Sequence, residues 1–165
     1  MDERELVELL NLRPLEPEGG YFAETWRSEE TLPASGLPSR YKGDRCLGTA
    51  IYYLLTAQSM SRMHRLQSDE VFHFYLGDPV EMLVLHPEGR SERIVLGADL
   101  LAGQRPQFIV PRGAWQGARL LSGGRFALLG TTVSPGFEYT DFELGGEHDL
   151  VAGWPDQASL IRALI

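Results

Sequence analysis

The chain has 165 residues, which suits one compact domain over residues 1–165 and is too short for two full domains. Hydrophobic residues make up 43% and charged residues 23%, so the composition is that of a globular protein and excludes intrinsic disorder. Because 15 basic residues stand against 23 acidic ones, the net charge of −8 repels phosphate backbones and anionic lipids, and we expect neither a nucleic-acid nor a membrane partner.

Cys46 is the single cysteine of the chain, and it lies in an apolar run. It cannot form an internal disulfide bond, which favours a core position and a reducing compartment. The first residues are acidic rather than basic, and no apolar stretch approaches the roughly 20 residues of a membrane span. We therefore expect a cytoplasmic protein.

Short helices are predicted at both ends of the chain. Near the N-terminus, Asp2 and Glu5 have the spacing of a capping box in front of a leucine-rich helical face. Near the C-terminus, Pro155 and Asp156 precede apolar residues at helical spacing over 158–164.

Between these helices, nine short runs alternate in hydrophobicity or are rich in residues that favour β-strands. They cover residues 21–28, 47–56, 71–76, 80–85, 93–96, 107–110, 118–121, 126–133 and 137–144. The sequences at 87–90 and 122–125 are typical of hairpin turns, the second through its glycine pair. The pattern predicts an all-β fold, a sandwich or barrel, with a short helix at each terminus.

The segment 63–77 contains a histidine, a glutamate and a glycine at informative spacing. His64, Glu70 and Gly77 resemble the first cupin motif, H-x-H, three or four residues, E, six residues, G. Leu66 stands where that motif has its second histidine.

A second segment, 111–116, resembles the other cupin motif, P-x-G-x-x-H. Pro111 and Gly113 match it, and Gln116 replaces its histidine. In metal-binding cupins three histidines and one glutamate converge inside the barrel, whereas this chain retains one of each. Transition metals prefer several nitrogen or thiolate ligands, so we expect no cofactor, with a weakly bound divalent metal left as an alternative.

Further motifs follow one another along nearly the whole chain and resemble the Cupin_5 (DUF985) family of the RmlC-like cupin superfamily. They lie at 17–22, 24–28, 68–70, 73–75, 77–79, 110–111, 115–116, 135–138 and 141–142. Glu16 departs from the family, which usually has a histidine there. The resemblance implies a cupin jelly-roll β-barrel and a homodimer, mostly without an assigned reaction, and the segment 21–28 is our candidate for the dimer contact.

Strand periodicity indicates which side chains share the barrel interior. In a strand over 71–76, Glu70, Phe72 and Phe74 face one way, and Val71, His73 and Tyr75 face the other. A charged carboxylate inside a barrel costs several kcal/mol unless it is paired, so we expect Glu70 to contact His64 and Gln116.

Other assignments depend on weaker signals. Tyr21 and Glu24 lie on opposite faces of a regular strand, so at most one lines the pocket, and we assign Glu24. Trp115 and Tyr139 either stack on a sugar or nucleobase or belong to the core. His86 and His148 are expected to be solvated. The predicted ligand-binding set is therefore Gln116, Trp115, Phe72, Phe74 and Glu24.

Three functions remain open. The first is a metal-independent sugar-nucleotide epimerase or isomerase with the catalytic residues His64, Glu70 and Tyr139, where His64 accepts a proton and Tyr139 returns one. The diphosphate group of a sugar-nucleotide substrate would require basic residues. The arginines near the two motifs in sequence are Arg62, Arg65, Arg112 and Arg119. The second is a non-catalytic ligand-binding or storage-like cupin, and the third is a metal-dependent cupin enzyme. All three have a small-molecule partner.

Overall fold

The computed structural model describes residues 2–165, which form two antiparallel β-sheets and short helices near both ends. The strands are β1 Arg13–Pro14, β2 Tyr21–Arg27, β3 Thr31–Leu32, β4 Arg45–Cys46, β5 Thr49–Thr56, β6 Ser61–Arg65, β7 Asp69–Gly77, β8 Val80–Leu85, β9 Ser91–Leu96, β10 Gln107–Val110, β11 Trp115–Leu120, β12 Phe126–Ser134 and β13 Glu143–Leu144. The α-helices are α1 Glu3–Leu9, α2 Glu147–Gly153 and α3 Ala158–Arg162.

The strand order has the crossing connections of a jelly roll. One sheet runs β1-β2-β5-β12-β7-β10, the other runs β13-β6-β11-β8-β9, and β3 and β4 form a separate pair. The main core lies between the two large sheets, and its fully buried members include Tyr53, Leu55, Phe72, Met82 and Leu129. This confirms the predicted all-β jelly roll.

The terminal helices cover the outer faces of the sheets. In α1, the Asp2 carboxylate accepts hydrogen bonds from the backbone N–H groups of Arg4 and Glu5, and the Glu5 carboxylate accepts one from the Asp2 backbone N–H. The predicted capping box is therefore confirmed. The side chain of Leu6 packs with Leu54 on the six-stranded sheet. At the other end, α2 and α3 pack on the five-stranded sheet. Among residues 2–165, no helix is long and apolar enough to cross a membrane.

The helix α2 and the strand β6 are absent from the predicted elements. Within residues 2–165, no side chain caps α2 at its N-cap Gly146, and the start of this helix is marked mainly by the acidic residues Glu147 and Asp149 in its first turn. β6 has the sequence SRMHR, whose two arginines hide the alternation, although Met63 and His64 are both buried.

The two predicted turns have different outcomes. The turn at 87–90 joins β8 to β9 as a hairpin, which confirms that prediction. The turn at 122–125 is not a hairpin, because β11 and β12 belong to different sheets and the chain crosses between them there. His86 is 4% exposed and lies 2.8 Å from the Glu92 carboxylate across the first hairpin, so the expectation of a solvated side chain is wrong.

The segment 137–144 forms a 3₁₀ turn over Tyr139–Asp141 and the short β13, and the predicted long strand is wrong. A buried ion pair holds it in place. The Arg45 guanidinium donates to both carboxylate oxygens of Asp141, at 2.6 and 2.9 Å, and the two side chains are 3% and 4% exposed. Arg45 also donates to Thr140 Oγ1 at 3.2 Å.

Replacing Asp141 by Asn should therefore destabilise the fold strongly, because it leaves the buried Arg45 charge uncompensated. We expect a loss of about 3–5 kcal/mol in the free energy of unfolding, measured by urea denaturation. The control is Glu147→Gln, which breaks the exposed Arg162–Glu147 pair and should cost about 1 kcal/mol or less. Equal losses for the two variants would show that the buried pair does not hold the segment.

Candidate functional site

A cavity of about 290 Å³ opens at one end of the barrel. Its wall is formed by residues of β1, β2, β5, β6 and β7, by the turn that precedes β2, by the connection between β6 and β7, and by the segment 137–142. Four of the predicted site residues line it, namely His64, Glu70, Glu24 and Tyr139. Seven of the lining side chains are charged: Arg13, Glu16, Glu18, Glu24, Arg27, Glu70 and Glu138.

Glu70 lies on the inner face of β7, as the strand periodicity predicted, and is 7% exposed. The Gln116 amide Nε2 donates to Glu70 Oε2 at 2.6 Å, which confirms one of the two expected partners. Burial raises the pKa of Glu70 and the nearby Glu18 charge adds to this, while His64 and the hydrogen bonds from Gln116 and Thr131 act in the opposite direction. The second expected partner is wrong: within residues 2–165, His64 makes no hydrogen bond to Glu70, and its ring nitrogens face the Arg62 carbonyl and Glu18 instead.

His64 lies on β6 and is 2% exposed. Its Nδ1 is 2.7 Å from the carbonyl oxygen of Arg62. A carbonyl oxygen only accepts hydrogen bonds, so Nδ1 carries a proton, and in the neutral ring Nε2 is the acceptor. Nε2 faces Glu18 Oε2 at 3.9 Å, and the ring stacks on Phe142 with centroids 5.2 Å apart.

Glu18 is a site residue that the sequence analysis did not assign. It lies in a turn that docks against the start of β6, where the Arg62 backbone N–H donates to the Glu18 carbonyl and Ser61 Oγ donates to Glu18 Oε1 at 2.7 Å. The following Gly19 has φ +111°, and any side chain there would collide with the Met60 carbonyl oxygen. The Glu-Gly-Gly sequence at 18–20 could have indicated this site, because a glycine pair allows the backbone of the turn to approach another strand closely.

The cavity mouth is more exposed and is held by a second network. Arg27 donates to both carboxylate oxygens of Glu24, at 3.1 and 3.0 Å, and to Glu138 at 2.9 Å. Tyr139 also lies here, 57% exposed, with its ring edge-on to Phe137 at 5.1 Å. Tyr21 packs on the outer face of the sheet near α1, so only Glu24 of that pair lines the cavity, as predicted.

Four predicted ligand-binding residues, Gln116, Trp115, Phe72 and Phe74, do not line the cavity. Trp115 lies on the opposite face of β11 from Gln116, where it packs on the helix-covered side with the Arg65 guanidinium 4.4 Å above its ring. Phe72 and Phe74 do face the barrel interior, but they pack in the core beyond the cavity. Gln116 contributes by holding Glu70.

The residues at this site do not fit the ligand set of a metal-binding cupin. Leu66 lines the wall where a second histidine would be needed, and Gln116 turns its amide group toward Glu70. Across residues 2–165, no group of three or more His, Cys, Asp or Glu side chains is close enough to hold a metal ion.

Replacing Glu70 by Gln should change how stability depends on pH. Because burial raises the pKa of Glu70 in the folded state, the fold binds this proton more tightly than the unfolded chain, whose carboxyl group titrates near 4.5. This contribution to stability is complete below pH 4.5 and is lost as the pH rises through the folded-state pKa. The free energy of unfolding of the wild type, relative to that of Glu70→Gln, should therefore fall as the pH rises from 4.5 through the folded-state pKa of Glu70.

Urea unfolding of both proteins at a series of pH values measures this difference. Glu88→Gln is the control, because its carboxylate is largely exposed and outside the cavity, and its difference from the wild type should stay nearly constant. A wild-type advantage over Glu70→Gln that grows with pH would contradict the expectation.

Comparisons with known proteins agree with this architecture. Residues 4–145 match the family model Cupin_5, "Cupin superfamily (DUF985)". The structure of protein SO0799 from Shewanella oneidensis is similar over 99% of this chain and 97% of that one, with 35% identity and a TM-score of 0.87.

Two further similarities are informative. The uncharacterized protein YML079W of Saccharomyces cerevisiae is 30% identical over 142 residues, which are 81% of this chain and 71% of that protein. Oxalate decarboxylase from Bacillus subtilis, at 13% identity and a TM-score of 0.54 over 94% of this chain and 37% of its own, shares the fold alone. The chain belongs to the Cupin_5 (DUF985) family of the cupin superfamily.

Proposed function

We propose that this cupin binds a small carbonyl compound in its cavity and that His64 accepts a proton from it, as a metal-independent isomerase or epimerase. One observation carries the proposal. The bond between His64 Nδ1 and the Arg62 carbonyl fixes the tautomer, so that Nε2 of the neutral ring is the basic nitrogen at the cavity wall.

The proton transfer balances without a cofactor. Nε2 takes a proton from the carbon next to the substrate carbonyl, and the electron pair of that C–H bond forms the enolate. The imidazolium then lies beside the Glu18 carboxylate, 3.9 Å away, which stabilises its charge. Isomerisation of a hydroxycarbonyl compound follows when the proton is returned to the former carbonyl carbon and the proton of the adjacent hydroxyl group moves to the former carbonyl oxygen. Delivery of a proton to the original carbon from the opposite side by Tyr139 gives epimerisation.

A sugar nucleotide is less well supported than a smaller substrate. None of the four arginines considered for a diphosphate, Arg62, Arg65, Arg112 and Arg119, lines the cavity. Arg65 and Arg119 pair with glutamates elsewhere. We therefore favour a free sugar or a comparable hydroxycarbonyl compound.

A non-catalytic ligand-binding cupin is the second candidate. The specific observation in its favour is the position of Tyr139, which is 57% exposed at the cavity mouth, where water competes for its hydroxyl group. A binding protein needs no second proton donor.

We also propose a homodimer. The outer face of the six-stranded sheet carries Trp26 and Tyr75, each 50% exposed, and Ile109, 55% exposed, beside the area that α1 covers. Trp26 lies within the segment 21–28. Among residues 2–165, no strand pairs with the edge of β2 from Ala23 onward, since β1 pairs only with Tyr21 and Phe22. A second copy would cover both features.

The catalytic proposal predicts exchange of substrate carbon-bound hydrogen with solvent. In deuterium oxide, proton NMR of a panel of aldoses and ketoses should show deuterium incorporation with the wild type and a loss of about 100-fold or more with His64→Asn. His148→Asn, which changes an exposed histidine, should retain the wild-type rate. Ligand binding without any exchange would favour the non-catalytic candidate, and equal rates for wild type and His64→Asn would exclude His64 as the base.

The dimer proposal predicts a solution mass of twice 18.4 kDa by light scattering. Trp26→Glu should shift the mass toward that of the monomer, because it places a charge in the contact. Leu101→Glu changes another exposed apolar residue, in a loop, and should leave the dimer intact. A wild-type monomer at micromolar concentration would contradict the proposal.

A further inference from the structure

We propose that the ligand of this cavity carries a positive charge, in the form of a primary ammonium group that binds between Glu18 and Glu70, as in an amino sugar or amino alcohol. This inference rests on the proposed function only in taking the cavity as the ligand site. It adds the charge of the ligand, and it holds for a catalytic or a non-catalytic cupin.

The charges at the cavity wall favour a cation. Five glutamates and two arginines line it. The Arg27 charge is already engaged by Glu24 and Glu138 at the mouth. Further inside the cavity, the Glu18 side chain is 15% exposed and Glu70 is 7% exposed. Water therefore screens the charges of these two carboxylates little. An anionic ligand would enter a cavity with an excess of negative charge.

The polar atoms at the inner end are hydrogen-bond acceptors. His64 Nδ1 is committed to the Arg62 carbonyl, so neutral Nε2 accepts, and it lies beside Glu18 Oε2. Gln116 directs its amide donor at Glu70. Gln116 itself does not line the cavity, so the atoms that a ligand meets at this end are His64 Nε2 and the carboxylate oxygens of Glu18 and Glu70. A ligand that meets these atoms must bring donors, and an ammonium group has three.

The aromatic lining is compatible with the same ligand. Phe22, Phe137, Tyr139 and Phe142 contribute to the wall. The guanidinium of Arg13 lies 4.8 Å from the centre of the Phe22 ring, so one of these rings already packs against a cation. An ammonium group bound near Glu70 would also offset the burial and the Glu18 charge that raise the pKa of this carboxyl group.

Three two-carbon probes of similar size and different charge test the proposal: ethanolamine as the cation, ethylene glycol as the neutral compound and glycolate as the anion. Each is titrated into isotope-labelled wild-type protein at pH 7.5, and NMR chemical-shift changes are followed at His64 and at the backbone amides of Glu18 and Glu70. Ethanolamine should bind about tenfold or more tightly than ethylene glycol, because its donors bond to carboxylates, and glycolate should bind least.

Matched variants locate the effect. Glu18→Gln and Glu70→Gln should each weaken ethanolamine binding by about tenfold and leave ethylene glycol binding nearly unchanged. Glu88→Gln removes the same charge outside the cavity and should have no effect on either probe. Urea unfolding verifies that each variant is folded.

Several results would overturn the proposal. Tighter binding of ethylene glycol or glycolate at the same resonances would show that the cavity binds ligands of another charge, and the proposed function would survive. Absence of shifts with all three probes would remove the ammonium site, while the deuterium exchange experiment tests catalysis separately. Displacement of ethanolamine by micromolar Zn²⁺, with equal loss of Zn²⁺ binding in both cavity variants, would show that the acceptors serve a metal ion.

Discussion

The hydrogen bond between Gln116 and Glu70 joins the two sheets of the barrel. Glu70 belongs to β7 in the six-stranded sheet and Gln116 to β11 in the five-stranded sheet, and the two groups meet at 2.6 Å. A carboxylate facing the interior of a β-sandwich needs such a partner, because burial without one costs several kcal/mol. The main core of aliphatic and aromatic side chains adjoins the cavity, since Phe22 and Ile51 pack against that core and also line the cavity wall.

The parts of the site that local periodicity determines could be predicted from sequence. Alternation along β7 placed Glu70 inside the barrel and His73 outside it, and the same rule separated Tyr21 from Glu24. The rule also applies to Trp115, whose neighbour Gln116 faces inward, and it places the tryptophan on the far side of β11.

Other parts depend on contacts between distant segments, which periodicity does not describe. Glu18 reaches His64 because a turn near the N-terminus docks on β6, and that docking uses backbone atoms of Arg62 and Met60. The buried pair Arg45–Asp141 joins residues 96 apart in sequence and turns an apparently strand-forming segment into a 3₁₀ turn. The glycine pair before β12 likewise allows a turn but does not determine which strand becomes the partner.

The irregularity in β2 has a consequence for how substitutions in this protein combine. The register shifts between Glu24 and Trp26, so that Glu24 and Arg27 reach the cavity mouth while Trp26 lies over Gly48 on the outer face. One short stretch of backbone therefore serves two surfaces. A substitution on one surface that alters this bulge will also change the geometry of the other surface. The effects of substitutions at the cavity mouth and on the outer face on the free energy of unfolding will therefore not be additive.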